Sequence, residues 1–147
     1  MNFSKWISLL LVMLSIDLSS ALAAASNASD PQGVIFSAEQ LKDQEFFIHI
    51  PGPYWTPSKE QVDNLEKNLS AYLKERSKTM DLSKFKRQYF GYSLNGKQVI
   101  YVNAGCRNFG DYKTTIVFIE DGGPCFFRAT FDPETDKFVS FSVNGHA

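Results

Sequence analysis

The side chains best suited to chemistry are few in this 147-residue chain, which has 2 His and 2 Cys. His49 lies inside Phe46-Phe47-Ile48-His49-Ile50, and His146 stands beside the C-terminal residue. An imidazole in such an apolar run is expected as a satisfied sheet histidine before a general base. Neither histidine has a metal-ligand spacing, and two cysteines leave little material for a zinc set. The chain has no Gly-x-Ser-x-Gly elbow, His-Glu-x-x-His, phosphate loop or dinucleotide fingerprint. Carboxylate pairs at Glu120-Asp121 or Asp111 are the remaining route to hydrolysis. Asp121 before Gly122-Gly123 and Asp111 after Gly110 read more simply as turn residues. No catalytic residue, metal or cofactor is therefore expected.

Three groups remain as candidates. Cys106 and Cys125 are expected to form one disulfide if the chain is exported, with two buried free cysteines or one reactive thiol as the alternatives. In a plain meander of strands the two would stand on the order of 20 Å apart, so a bridge requires a different path between them. The connection carrying Asn103, Arg107, Asn108, Phe109, Asp111 and Tyr112 mixes amides, charges and aromatics, as partner-binding loops do. A structural loop tied down by Cys106 accounts for the same residues equally well. The third group, His49, Tyr89, Tyr92 and Tyr101, would line a pocket if helix and sheet leave one.

These residues need a scaffold, and the chain supplies one in segments. One lysine precedes an apolar run from Trp6 to Ile16, and Ala21-Leu22-Ala23 follows. This three-part pattern reads as a signal peptide over residues 1–23 and predicts a periplasmic or secreted protein. The run is too short to span a bilayer. Residues 24–33 are small and polar and are expected as a loose arm, with one domain over 34–147. The sequons at Asn27 and Asn68 are taken as chance occurrences.

Ser37-x-x-Gln40 has the form of a capping box for a turn or two of helix, and Glu45 to Ile50 of a short strand. Thr56-Pro57 predicts a helix over 57–76, with Val62, Leu65, Leu69, Tyr72 and Leu73 as its apolar stripe. Asp63 and Lys67 are spaced to pair on its wet face. Trp55 is placed to staple the helix start, with Tyr54-Trp55 as an exposed aromatic anchor for a partner or sugar as the alternative.

From Phe85 onward the chain reads as strands. Asn95-Gly96 predicts a type I′ hairpin that pairs Leu94 with Lys97 and Phe90 with Tyr101. Further strands are expected over 114–120, 125–131 and 137–143, the last burying Val139, Phe141 and Val143. The expected fold is α+β, one long helix packed on a curved antiparallel sheet of about four to five strands.

Lys+Arg 15 against Asp+Glu 16 gives a net charge of -1, which argues against nucleic acid as a partner. The 13 Phe supply much of a core without metals.

Tyr54-Trp55-Thr56-Pro57, Gln88 to Tyr92, Val99 to Asn103 with Cys106, Asp121-Gly122-Gly123 with Phe126-Phe127, and Asn144-Gly145 together resemble a group of small exported bacterial proteins without assigned activity. That resemblance implies a periplasmic location and carries over no catalytic residue. The expected architecture is also similar to cystatin-like and nuclear-transport-factor-like domains, a likeness of fold alone.

The preferred reading is a non-enzymatic protein-binding module, of accessory or inhibitor type, for another exported or envelope protein. A small-molecule carrier or enzyme with a pocket between helix and sheet is the second reading, and an envelope-maintenance protein the third. The sequence leaves the oligomeric state open.

Overall fold

Among the described residues two serines start the two α-helices by the same device. The Ser37 hydroxyl accepts from Gln40 N–H while Gln40 Oε1 accepts from Ser37 N–H, opening α1 (Ala38–Lys42). Ser58 and Gln61 repeat this reciprocal pair at α2 (Lys59–Glu75). The second box corrects the expected start at Pro57, because the Thr56 hydroxyl is committed elsewhere. Thr56 Oγ1 accepts from Ala38 N–H at 2.9 Å, so it serves the first helix.

The computed structural model describes residues 33–44, 50, 52–76, 80–107 and 109–145. The expected signal peptide, residues 24–32 of the expected arm, His49, Asn108, His146 and all but Ile50 of the expected strand 45–50 lie outside the described residues. Gly33 belongs to the first strand and not to an arm.

Among the described residues the sheet has six strands: β1 (Gly33–Ile35), β2 (Tyr54–Trp55), β3 (Lys86–Leu94), β4 (Lys97–Gly105), β5 (Phe126–Asp132) and β6 (Lys137–Val143). Their order is β1-β3-β4-β5-β6, with β2 also on β3. It is an α+β arrangement with a mixed sheet, which corrects the purely antiparallel expectation. β1 runs parallel to β3, and the long segment between them, with both helices, supplies the crossover a parallel pair requires. Asn95 and Gly96 take φ of 51° and 78°, as the tight turn demands, and the expected hairpin register holds along the whole of β3 and β4.

Alternation along this register gives the sheet two faces. Tyr89, Ile100, Val102, Ala104, Phe127, Ala129 and Phe131 belong to the core shared with Val62, Leu65, Leu69 and Leu73 of α2. Each such leucine contributes about 2 kcal/mol by leaving water. Tyr72 lies at the margin of this stripe, its ring centroid 4.8 Å from that of Phe138 and 5.8 Å from that of Phe141. On the wet side of α2 the ion pair is Lys59 with Asp63, in place of the expected Asp63 with Lys67.

Two local corrections follow from side-chain fit. Trp55 is not a staple at the helix start but a sheet residue: its indole lies on Gly91, where any Cβ would stand 2.4 Å from the ring, and its Nε1–H donates to Tyr92 O. In β6, Thr130 pairs with Ser140 but Phe131 pairs with Phe138, so Val139 is an unpaired bulge. The bulge changes the phase of the strand. Phe138, Phe141 and Val143 pack on the helix-side core, and Val139 is 55% exposed.

Candidate functional site: a strap held on the sheet by side-chain amides

The expected strand over 114–120 does not form. β4 pairs directly with β5, and the chain between them leaves the sheet at Gly105 and returns at Phe126, which are register partners. Cys106 and Cys125 are the next residues outward, so the ladder itself brings them together. They are disulfide-bonded, their Cα atoms are 5.1 Å apart, and Cys106 N–H donates to Cys125 O at 2.9 Å. The distance objection raised by a meander disappears because the intervening chain is a strap and not a strand.

The strap lies on the face opposite α2, and amide side chains, buried at Gln88, Asn103 and Asn144 and half-buried at Gln44, take the place of a backbone ladder. Gln88 is 0% exposed; its Nε2 donates to Tyr112 O at 2.8 Å and Thr115 O at 2.7 Å, while its Oε1 accepts from Val117 N–H at 3.0 Å. Asn103 Nδ2 donates to Gln88 Oε1 and to Val117 O. Gln44 accepts from Ile116 N–H and donates to Thr114 O. Asn144 Nδ2 donates to Ile119 O and Asp121 O, and the Asn144 Oδ1 is buried without an acceptor bond among the described residues. An amide offers a donor and an acceptor on one short plane, so it satisfies both backbone groups of a strand-like segment. A buried carbonyl or N–H without such a partner is expensive, so these four side chains determine where the strap runs.

Apolar anchors complete the hold. Phe109 is 2% exposed and packs with Phe126 and Cys125, while Tyr112, Val117 and Ile119 close the cluster. Gly105 makes room for it: a Cβ there would stand 2.6 Å from the Phe109 ring. Tyr112 is half-buried, stacked on Phe109 with centroids 6.0 Å apart, and Lys86 Nζ lies 5.1 Å over its ring. Farther along, Ile116 and Phe118 pack on the Phe90, Tyr92 and Tyr101 cluster.

The expected binding residues are thus divided by the strap. Asn103 and Phe109 face inward and are occupied, Tyr112 is at the boundary, and Arg107 and Asp111 are exposed. Lys113, Thr114 and Thr115 continue the exposed rim, and Asp111 O accepts from both Thr114 N–H and Thr115 N–H, which fixes the turn.

The expected pocket residues do not converge. Tyr89 is on the helix face, whereas Tyr92 and Tyr101 are on the strap face and pack edge-on to each other. Tyr89 instead belongs to a buried knot: its hydroxyl donates to Glu66 Oε1 at 2.6 Å and accepts from Arg87 Nε at 2.9 Å. Arg87 also meets Glu66 at 3.0 Å and donates to Leu82 O and Phe85 O. Burial, followed by the Glu66 carboxylate, holds the Tyr89 phenol far above its ordinary pKa, with Arg87 opposing them. A neutral phenol with both neighbours bonded is a structural tie between α2 and β3.

Among the described residues no group of His, Cys, Asp and Glu is arranged to hold a metal, and no helix is long and apolar enough to cross a membrane. Sequence reasoning did not select Gln44, Gln88 or Asn144. Gln88 carried a signal, an amide in the middle of a strand otherwise destined for burial, because such a group must find partners. No family model, curated protein or solved structure matches this chain.

Proposed function

We propose that this chain is an exported, non-enzymatic protein-binding module, of accessory or inhibitor type, whose recognition surface is the outer rim of the strap from Arg107 to Thr115. The observation that carries the reading is the contrast within one short segment. Its carbonyls at Tyr112, Thr114 and Thr115 are bonded to Gln88 and Gln44, while Arg107, Asp111 and Lys113 project from it exposed. A loop fixed before binding avoids an ordering cost of about 0.5–1.5 kcal/mol per immobilised side chain. The disulfide supports an oxidising compartment, and with it the signal peptide read in residues 1–23.

The test is affinity capture with the tagged chain 24–147 from the envelope and culture fluid of its source, against an Arg107→Ala, Asp111→Ala double variant. Both residues are exposed, so the variant keeps its fold, which circular dichroism checks. A stoichiometric partner that the double variant loses supports the reading. A partner retained by the variant, or none at all, removes the strap as the recognition surface.

A further inference from the structure

The sheet carries two arginines on opposite faces, and they are used differently. Arg87 spends its guanidinium on Glu66, Tyr89 and two carbonyls. Arg128 on β5 is half-buried. The ion pairs among the described residues join Lys42 to Glu39, Lys59 to Asp63, Lys84 to Asp81, Arg87 to Glu66 and Lys97 to Asp132, and Arg128 belongs to none of them.

The register shows what surrounds Arg128. Asn103, Arg128 and Ser142 form one cross-strand row, and Tyr101, Thr130 and Ser140 form the next, all on the strap face. Directly opposed side chains in such rows have Cβ atoms about 5 Å apart. The Tyr101 phenol lies beside Arg128, and Tyr92 Oη is 3.4 Å from Thr130 Oγ1. Ser140 and Ser142 on the edge strand are exposed, whereas Thr130 and Tyr101, farther into the sheet, are buried. The nearest acid on this face of β5, Asp132, is turned to Lys97 and to the N–H groups of Glu134 and Thr135. The patch therefore has a cation and hydroxyl donors; the β5 acid is turned to Lys97, and the strap's Glu120 and Asp121 on the same face are exposed to solvent.

We propose that this row is a binding site for one oxyanion group, a carboxylate or a phosphate, held by the Arg128 guanidinium with the hydroxyls of Ser140 and Ser142. The guanidinium fork matches two oxygens of either group, and serine hydroxyls extend the set at the open edge of the sheet. The site is separate from the strap's outer rim and does not depend on the partner proposed for that rim.

The test is a titration of the purified protein with sodium phosphate and, separately, sodium acetate, at ionic strength held constant with sodium chloride. The readout is the Arg128 Nε–H resonance together with the amides of Arg128 and Ser142. A saturable shift with either anion is expected, the tighter arm giving the class of ligand. Arg128→Gln should weaken binding roughly tenfold or more, in keeping with loss of a charge-assisted contact. The Ser140→Ala, Ser142→Ala double variant alters only exposed hydroxyls, keeps the fold, and should weaken binding several-fold, while Arg107→Ala should leave it unchanged. Shifts that stay linear in both anions, or saturable binding whose affinity is unchanged in Arg128→Gln or in the serine double variant, overturn the proposal.

Discussion

On one face of the sheet α2 lays Val62, Leu65, Leu69 and Leu73 against Ile100, Val102, Phe127 and Phe131. On the other face a strap without a backbone ladder among the described residues is held by Gln44, Gln88, Asn103 and Asn144. The first contact is broad and non-directional, so its free energy is spread over many atoms. The second is directional and concentrated, because each amide satisfies particular carbonyls and N–H groups. The difference teaches where the molecule tolerates change: the helix face accepts apolar exchanges of similar volume, whereas the strap face depends on single side chains.

The largest effect that separates the two faces is expected from Leu69→Ala. Leu69 is 0% exposed, and its truncation should cost about 2–5 kcal/mol in urea unfolding, with helix and strap lost together. Gln88→Leu keeps the volume and removes the bonds to Tyr112, Thr115, Val117 and Asn103. It should cost about 2–3 kcal/mol and act locally, releasing the strap so that trypsin cuts after the exposed Arg107 and Lys113 while far-ultraviolet circular dichroism is retained. Simultaneous loss of the dichroism would erase the distinction between the faces.

Alkaline titration probes both faces more gently. Burial pushes the Tyr101 phenol from 10.0 up to about 12, with neighbouring Arg128 offsetting part of the effect, and Tyr89 is raised in the same direction. A folded pKa above the unfolded one means the stabilisation is complete below pH 10 and is lost as pH rises toward 12. Tyr101→Phe should flatten that decline, and a denaturant series between those pH values checks it. The smallest effect is expected from Lys59→Ala, which removes an exposed helix pair with Asp63 and should change stability by less than about 0.5 kcal/mol.

The helix face was legible because its signals are local and periodic. The stripe from Val62 to Leu73, the Ser37 capping box and the Asn95-Gly96 turn each specify structure within a few residues. The strap face was not. Residues 116–119 are β-branched and aromatic, a strand in composition, and only the partnership of Gly105 with Phe126 removes them from the sheet. β1 is three residues long, too short for a period, and its parallel pairing depends on a crossover set by both helices. The bulge at Val139 leaves no trace in the alternation it interrupts. Of the candidate site, the cysteines and the start of the loop were readable, while its extension past Tyr112 and the division into inner Asn103 and Phe109 and outer Arg107 and Asp111 depended on tertiary partners.

Native-state hydrogen exchange at Ile116 and Val117 tests the central claim most directly. Their N–H groups donate to the side chains of Gln44 and Gln88 and not to a backbone ladder. A strap held by amides predicts protection at both positions approaching that of the β4 and β5 ladder, with Val117 losing it selectively in Gln88→Leu. Exchange at the rate of an open loop in the unmodified protein would contradict the account, since the rim would then have no fixed frame on which to meet a partner.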